Sequence, residues 1–514
     1  MRLPAPHCSP VFIIASLLLA LAACGSDEQP PRVFAGAGGS AAAGTGGAGG
    51  AGGTAGTFGN PVGGDGATPL NPMMAPVAGG EPCVNLQCQQ MACASGATTT
   101  VSGVVLDPAG RNPLYNVVVY VPNEPVLALP SGASCDDCTA LYTGHPIATA
   151  LTDATGHFVL ENAPVGSDIP LVIQVGKWRK QVTVPSVEGC QDNPQPDGSL
   201  RLPRNRSEGD IPSIAIATGG ADTLECLLRR IGVDAEEYVP GPGGEGRVHI
   251  YQGNPTEPRD DGGGGGGRDN DVAPNTSPAA PAASSELWSS VDKLLAYDIV
   301  LLSCEGDETV GMNQQALYDY ADLGGRVFAS HFHYSWFNSG PYASENLAVW
   351  TPESQNIGDI HGSIVTTLPN GEPFPKGQAL LDWLDHVDAL EDGLLPIEEA
   401  RHNADVAPEH MASQPWILAG DDSEAPGATQ YFSFNTPIGG HTNPDGITYC
   451  GRVVYSDLHV GAASGDEPEQ PVPDGCSDGE LSPQEAALEF MLFDLSSCVT
   501  PDDVPPQPPV LVVQ

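Results

Sequence analysis

The sequence predicts an α+β multidomain protein, in which a β-sandwich is followed by a Rossmann-like α/β domain with a mostly parallel sheet. Short β-branched segments, separated by turn residues every ten to fifteen positions, fill residues 97–186, as in a sandwich. From residue 211 onward, apolar strands alternate with helical patterns, and this alternation builds a parallel sheet covered by helices. An apolar leader and a glycine-rich segment precede both regions.

The leader, residues 1–23, has the pattern of a lipoprotein signal peptide. Arg2 is followed by an apolar run over residues 11–22, which is long enough for a signal-peptide core and too short to span a membrane. The run leads into the letters LAAC at 21–24, which resemble a bacterial lipobox with Cys24 as the lipidated residue. An ordinary secretory signal with a chance cysteine is the alternative.

The residues after the leader favour an anchor in the outer membrane and a flexible tether. No aspartate directly follows Cys24, which resembles the sorting pattern of outer-membrane lipoproteins. The membrane is then a partner only through the lipid on Cys24, since no other segment is long and apolar enough to span a bilayer. Residues 24–80 are rich in glycine and alanine and have little to bury, so we expect a disordered tether.

The strongly acidic composition limits the choice of partners. The net charge of −45 comes from 64 acidic and 19 basic residues. It argues against nucleic acid and against an anionic membrane surface, because phosphate binding needs a patch of lysine and arginine. The acidic residues are scattered, which favours a role in solubility over specific cation binding.

Thirteen cysteines are many for 514 residues. Loss of Cys8 with the leader and lipidation of Cys24 leave eleven, and an exported chain meets an oxidising compartment, so we expect disulfides. Zinc is the alternative for the Cys135–Cys138 spacing, although a zinc ribbon needs a second such pair. Six of the eleven precede residue 200 and five follow it, so at least one is unpaired or pairs across the halves. The disulfide candidates are Cys135, Cys138, Cys226, Cys304, Cys450 and Cys476.

Residues 81–200 resemble a carboxypeptidase regulatory-like (transthyretin-like) domain. The segments that carry the resemblance are SGVVLD at 102–107, NVVVYV at 116–121 and LTDATGHFVLENAP at 151–164. The resemblance implies a compact sandwich that performs no chemistry. The loop at 125–146 is an insertion relative to that family, and a disulfide would hold Cys135 and Cys138 within it.

Residues 211–499 resemble the class I glutamine-amidotransferase-like and ThuA-like superfamily, with a low-complexity insertion at 254–284 and a proline-rich tail at 500–514. The segments that carry the resemblance are YDIVLL at 297–302, YADLGG at 320–325, RVFASH at 326–331 and CGRVVYSDLHV at 450–460. Active amidotransferases place a cysteine in the turn that here holds His331, so the resemblance implies no glutaminase activity. ThuA-like members carry Gly-x-His there, which is closer to Ser330-His331.

In doubly wound sheets, ligands bind beyond the carboxyl ends of the strands. Three predicted strands end in residues that could carry chemistry, and the glycine-rich turn at 218–220 is a fourth segment at that edge. The catalytic candidates at this edge are Cys304, Glu305, His331, Asp457 and His459.

Histidine spacing suggests a divalent metal as one use of this edge. His331 and His333 are two residues apart, so an extended strand directs both to one side, where Asp457 or His459 could complete the site. The metal candidates are thus His331, His333 and His459, and hydrogen-bonded structure is the alternative. For Cys304, a nucleophile needs a depressed pKa, which Glu305 opposes, and a structural bridge to Cys226 competes with that role.

These features predict a cell-envelope lipoprotein with a binding or structural role toward an envelope glycan or another protein. Its amidotransferase-like domain is expected to lack catalysis. The alternative is an envelope hydrolase that uses a metal on His331, His333 and His459, or the thiol of Cys304. A divalent metal is the one cofactor that the sequence suggests.

Overall fold

The computed structural model of the protein describes residues 83–135, 138–219, 222–253, 281–309, 311–443, 446–460, 472–509 and 511. The predicted signal peptide, Cys24 and the tether lie outside the described residues. Most of the insertion and the end of the tail lie outside them as well.

Residues 100–201 form two four-stranded sheets. Their strands are β1 (Thr100–Leu106), β2 (Val118–Pro122), β3 (Pro146–Leu151), β4 (His157–Glu161), β5 (Gly166–Val175), β6 (Trp178–Val187), β7 (Asp192–Pro194) and β8 (Leu200–Arg201). One sheet has the order β4-β1-β7 with β8 also beside β1, and the other has the order β3-β2-β5-β6. In β4, Phe158 and Leu160 are buried while Val159 between them is exposed. This period of two directs one face of each sheet into a shared core.

A ten-stranded sheet dominates the rest of the chain. The further strands are β9 (Ile214–Ala217), β10 (Tyr238–Pro240), β11 (Val248–Tyr251), β12 (Ile299–Leu302), β13 (Arg326–Ser330), β14 (Val349–Ile364), β15 (Leu395–Asp405), β16 (Ser413–Ala419), β17 (Thr429–Thr436), β18 (His441–Asn443), β19 (Gly446–Thr448) and β20 (Gly451–Ser456). The large sheet has the order β10-β11-β9-β12-β13-β20-β17-β16-β14-β15, and β18 pairs with β19. The first six strands in that order are parallel, and the last four add antiparallel pairs.

Among the described residues, six α-helices accompany this sheet: α1 (Leu224–Arg230), α2 (Ser284–Leu287), α3 (Val291–Leu294), α4 (Gln314–Asp322), α5 (Pro375–His386) and α6 (Pro483–Ser496). The fold is therefore mixed α/β with more strand than helix. Strands β9 and β12 are buried at every position, because a sheet covered on both faces needs unbroken apolar strands.

The parallel strands that matter most for a site end level with one another. Leu302 of β12 is opposite both Ala217 of β9 and Ala329 of β13. Ser330 of β13 is opposite Ser456 of β20. The chain segments that follow these four strands therefore leave the sheet at one edge.

Helix α6 joins the two sheet systems. Ser482 caps its first turn through a capping box with Glu485. The helix is buried on every side, and Phe493 packs edge-to-face on Trp178 while Phe490 stacks on Tyr115. Apolar side chains on both sides of residues 200–211 thus belong to one core. The predicted domain limits stay a prediction.

Disulfides link distant parts of the chain. Cys83 is bonded to Cys88, Cys93 to Cys190, Cys135 to Cys450 and Cys226 to Cys476, and Cys498 is also bonded. The expected Cys135–Cys138 bridge is wrong, because the inserted loop reaches across to the start of β20. The side chain of Cys138 lies outside the described residues.

The expected bridge between Cys226 and Cys304 is also wrong. Cys226, on α1, faces the segment before α6, where its partner Cys476 lies, whereas Cys304 follows the end of β12 and is free. Within the part of the chain that the structure describes, no helix is long and apolar enough to cross a membrane.

We predict that the Cys226–Cys476 bridge stabilises the fold more than the Cys83–Cys88 bridge does. The first spans 250 residues and the second spans 5, and a longer closed loop removes more entropy from the unfolded chain. Replacing both cysteines of the long bridge with alanine should lower the free energy of unfolding by roughly 5 kcal/mol, against roughly 2 kcal/mol for the short one. Urea unfolding of the two double variants tests this, and equal losses would contradict it.

Candidate functional site

Three strand ends bring Cys304, His331 and His459 together. Cys304 lies two residues after β12, His331 directly follows β13, and His459 lies three residues after β20. The turn before α1 packs against the same place, because a Cβ atom at Gly219 would lie 2.0 Å from the carbonyl oxygen of Cys304. Only glycine allows this approach.

The three side chains are close enough to act on one ligand. Cys304 Sγ lies 3.1 Å from His331 Nδ1. The rings of His331 and His459 meet edge-to-face, with their centroids 4.7 Å apart. One potential ligand atom from each of the three residues lies within 4.8 Å of the others, and all three residues are buried. We call this set the Cys304 cluster.

His333 does not belong to the cluster, which corrects the predicted metal set. Residues His331–Trp336 form a 3-10 helix rather than an extended strand, so His331 and His333 point in different directions. His333 Nε2 donates to the carbonyl oxygen of Ser303 at 2.8 Å. Its Nδ1 lies 3.1 Å from both Thr309 Oγ1 and Trp336 Nε1. Both ring nitrogens of His333 are therefore engaged in structure.

The backbone at His331 explains why the strand stops there. His331 has a φ of 47°, in the left-handed region that a residue with a β-carbon seldom adopts. The Tyr455 hydroxyl lies 2.8 Å from the carbonyl oxygen of His331 and 2.9 Å from Asp457 Oδ1. Such a conformation persists where the surroundings fix it, and it is common at functional sites.

Burial keeps the cluster uncharged in the absence of a ligand. Burial lowers the pKa of His459 to about 3 and holds the pKa of His331 well below its usual value. Burial also raises the pKa of the Cys304 thiol to about 12, and the nearby Asp222 and Glu305 carboxylates add to this shift. A neutral thiol beside two neutral imidazoles is a poor nucleophile but a suitable set of metal ligands once the thiol loses its proton.

Two ring nitrogens in the cluster lack partners. Nε2 of His331 and Nε2 of His459 are buried and form no hydrogen bond to any residue that the structure describes. Leaving a buried polar atom unsatisfied costs about 1–3 kcal/mol, so such atoms call for an explanation in a native fold. A ligand bound through these two Nε2 atoms would supply one.

The carboxylates around the cluster have different roles from those the sequence suggested. Asp457 accepts from the backbone amide of Asn403 and contacts Tyr455, and burial raises its pKa to about 7. It thus supports the turn at His331 through Tyr455. Glu305 is buried directly after Cys304.

Asp222 was not among the sequence candidates. It precedes α1 and accepts hydrogen bonds from the Ser330 hydroxyl and the backbone amide of Val460. Burial raises its pKa to about 7. The available signal was an acidic residue just after a glycine-rich turn that follows a parallel strand.

Comparison with known proteins does not place the chain in a family. No family model and no curated protein matches it. A C-terminal interface mutant of a type II cohesin–X-dockerin complex from Acetivibrio cellulolyticus is 15% identical over 24% of this chain and 78% of its own, with a TM-score of 0.14. An N-terminal interface mutant of that complex is 13% identical over 26% and 85%, with a TM-score of 0.16. A 9R-lipoxygenase from Cyanothece is 15% identical over 22% of this chain and 17% of its own, with a TM-score of 0.10. Similarities this weak carry no functional conclusion.

We predict that Cys304 is a free thiol that reagents cannot reach in the folded protein. The residue is completely buried and not disulfide-bonded, whereas the other cysteines with described side chains are bonded. Iodoacetamide should modify Cys304 only after the protein is unfolded. No reductant should be needed for this reaction, because the thiol is not in a disulfide, and peptide mass spectrometry identifies the modified residue. Rapid labelling of the native protein, or recovery of Cys304 in a disulfide, would contradict the structure.

We predict that the metal-free protein loses stability on mild acidification through His459. The unfolded chain takes up a proton on this residue near pH 6.5, whereas the folded state, with a pKa of about 3, does not. Between pH 7 and pH 5 the free energy of unfolding should fall by about 2 kcal/mol because of this residue, and His459→Gln should remove that part of the slope.

Urea unfolding at the two pH values measures the slope, with His361→Gln as the control. His361 is at the surface, and the neighbouring Asp422 raises its pKa, so its replacement should not flatten the slope. An unchanged slope in His459→Gln would show that His459 is not held neutral by burial.

Proposed function

We propose that this chain is an envelope lipoprotein whose Cys304 cluster binds a zinc-like divalent metal and uses it for hydrolysis. The observation that carries the proposal is the convergence of a buried thiol and two imidazoles, of which both Nε2 atoms lack partners among the described residues. The proposal therefore prefers the hydrolase alternative to the purely binding or structural role.

The chemistry of the donors favours zinc or a similar transition metal. A thiolate and neutral imidazoles are soft and borderline ligands, which suit Zn²⁺ rather than Mg²⁺ or Ca²⁺. Tetrahedral bonds of about 2.0–2.3 Å hold ligand atoms roughly 3.5 Å apart, so atoms within 4.8 Å of one another need to close in by roughly 1.3 Å at most. His331 and His459 are already neutral at pH 7, so Cys304 alone must lose a proton on binding.

Three protein ligands leave one position open, as in catalytic rather than structural zinc sites. A metal in such a site lowers the pKa of bound water to about 7 and polarises a carbonyl group. The residues at the four strand ends are buried, which would give the metal dry surroundings in which its charge acts most strongly, and a substrate would meet it only when these chain segments move apart. Hydrolysis of an ester or amide bond is the reaction class that this arrangement suits.

The remaining parts of the proposal concern origin and location. The six parallel strands, and a left-handed residue directly after β13, support a resemblance to the amidotransferase-like and ThuA-like superfamily with a Rossmann-like sheet. The lipobox-like LAAC and the disulfides support a lipid-anchored protein in an oxidising compartment at the outer membrane. An ester or amide bond in an envelope glycan or protein is then the substrate class, and the carboxypeptidase regulatory-like region serves as a scaffold.

A second candidate is a thiol hydrolase in which Cys304 is the nucleophile and His331 is its base. The 3.1 Å contact between Sγ and Nδ1 favours it. Burial works against it, because a thiol with a pKa of about 12 has almost no thiolate at neutral pH.

We predict that the purified protein holds about one zinc ion per chain, measured by elemental analysis after gel filtration. Cys304→Ser, His331→Gln and His459→Gln should each abolish stoichiometric zinc, because each removes one of three ligands. His333→Gln is the matched control: it is equally buried, and it should retain zinc once circular dichroism shows that it is folded.

Activity separates the two candidates. Hydrolysis of p-nitrophenyl acetate should stop after chelation and return with added zinc if the metal acts. Activity that survives chelation but is lost in Cys304→Ser would support the thiol hydrolase. Absence of both zinc and hydrolysis would leave a binding or structural role.

A further inference from the structure

We infer that Asp222 is a positioning residue, which ties together the three chain segments that present Cys304, His331 and His459. This inference rests on the proposed metal centre. Asp222 is not itself a ligand in the cluster, and its side chain is almost completely buried at 1% exposure.

The contacts of Asp222 reach the neighbours of two ligands directly. Its Oδ2 accepts a hydrogen bond from the Ser330 hydroxyl at 2.6 Å, and Ser330 immediately precedes His331. Its Oδ1 accepts from the backbone amide of Val460 at 2.8 Å, and Val460 immediately follows His459. The carboxylate therefore links the ends of β13 and β20.

The third ligand, Cys304, packs against the chain segment that carries Asp222. Burial raises the pKa of Asp222, and the backbone amide of Cys304 is one of the nearby groups that oppose this shift. On the other side, the turn at Gly219, three residues before Asp222, packs directly on the carbonyl oxygen of Cys304. The segment that carries Asp222 thus contacts all three strand ends.

A role in capping α1 does not account for these contacts. The local bond is the one from the Thr223 amide to Asp222 Oδ1, at 3.1 Å, and the helix that follows has only seven residues. Burying a carboxylate is costly unless several donors surround it. The hydrogen-bond donors to Asp222 come from the chain segments that carry the metal ligands. The hydrogen bonds that stabilise the Asp222 carboxylate therefore also fix the positions of these segments.

An outer carboxylate of this kind does two things at a metal centre. It holds the ligands in place, so less conformational entropy is lost when the metal binds. Its negative charge also favours a cation nearby. Removal of such outer partners typically weakens metal affinity by about 10–100-fold.

Asp222→Asn tests the inference because it keeps the shape and removes one acceptor. An amide has one oxygen and one NH₂ group, so it cannot accept from both Ser330 and Val460. After zinc has been removed by chelation, titration with Co²⁺, followed by thiolate-to-cobalt charge-transfer absorption, should show affinity about 10–100-fold weaker than in the metal-free wild-type protein. The shape of the band should also change, because the ligand geometry relaxes.

Asp298→Asn is the matched control. Asp298 directly precedes β12, at the strand end opposite to Cys304, and it accepts from the Ser213 amide and from Lys177, each at 2.7 Å. It is buried and ties chain segments together as Asp222 does, but it is remote from the cluster. Its replacement should lower the free energy of unfolding and leave Co²⁺ affinity and the spectrum unchanged.

The outcomes are distinguishable. If the wild-type protein does not bind Co²⁺ through a thiolate, the proposed function fails, and this inference fails with it. If the wild-type protein binds and Asp222→Asn binds within twofold of it, only the inference is overturned. If Asp298→Asn loses as much Co²⁺ affinity as Asp222→Asn, the role of Asp222 is a general structural one, and the inference is again overturned.

Ser330→Ala decides the matter if Asp222→Asn does not fold. It removes one hydrogen bond to the carboxylate and leaves Asp222 in place. Co²⁺ affinity should then fall by about 3–10-fold, as expected for the loss of part of the outer support. An affinity equal to that of the wild-type protein would contradict the inference.

Discussion

Exclusion of water from the carboxyl ends of β9, β12, β13 and β20 is the constraint on which the site depends. Every polar group at this edge needs a hydrogen-bond partner, because leaving a buried polar group unsatisfied costs more free energy than a satisfied hydrogen bond contributes. Most of the groups find one: His333 bonds to its own surroundings, and Asp222 and Asp457 each accept bonds from neighbouring segments. The exceptions in the described part of the chain include Nε2 of His331 and of His459, in one cluster beside the free thiol.

The rest of the fold fixes the strand that delivers His459. Arg452, at the start of β20, pairs with Asp494 of α6, and buried Lys376 pairs with the same carboxylate at 2.7 Å. At the other end of α6, Gln484 donates to the carbonyl oxygen of His459 at 2.6 Å. Helix α6 also packs on the smaller sheets, so these sheets help position the site without lining it. A buried ionic network is weak support for stability and better understood as a device that fixes register.

Much of this could be predicted from the sequence, and the failures have physical causes. Unbroken runs of apolar residues indicated the positions of strands β12 and β13. The residues that directly follow these strands were therefore candidates for the functional site. The alternation of strand β13 does not continue to His333, as the sequence had suggested. The amino-acid sequence alone does not show that His331 adopts a left-handed backbone conformation and begins a 3-10 helix. Cysteine pairing failed for a similar reason: Cys135 and Cys450 are 315 residues apart, and only tertiary folding brings them together. The predicted lipid anchor concerns residues that the structure does not describe.

X-ray absorption spectroscopy at the zinc edge, on the protein as purified, tests the central claim most directly. One sulfur neighbour at about 2.3 Å and two imidazole nitrogen neighbours at about 2.0 Å are expected, with one light atom in the open position. A first coordination sphere without sulfur, or one with several sulfurs, would contradict a centre built from Cys304, His331 and His459.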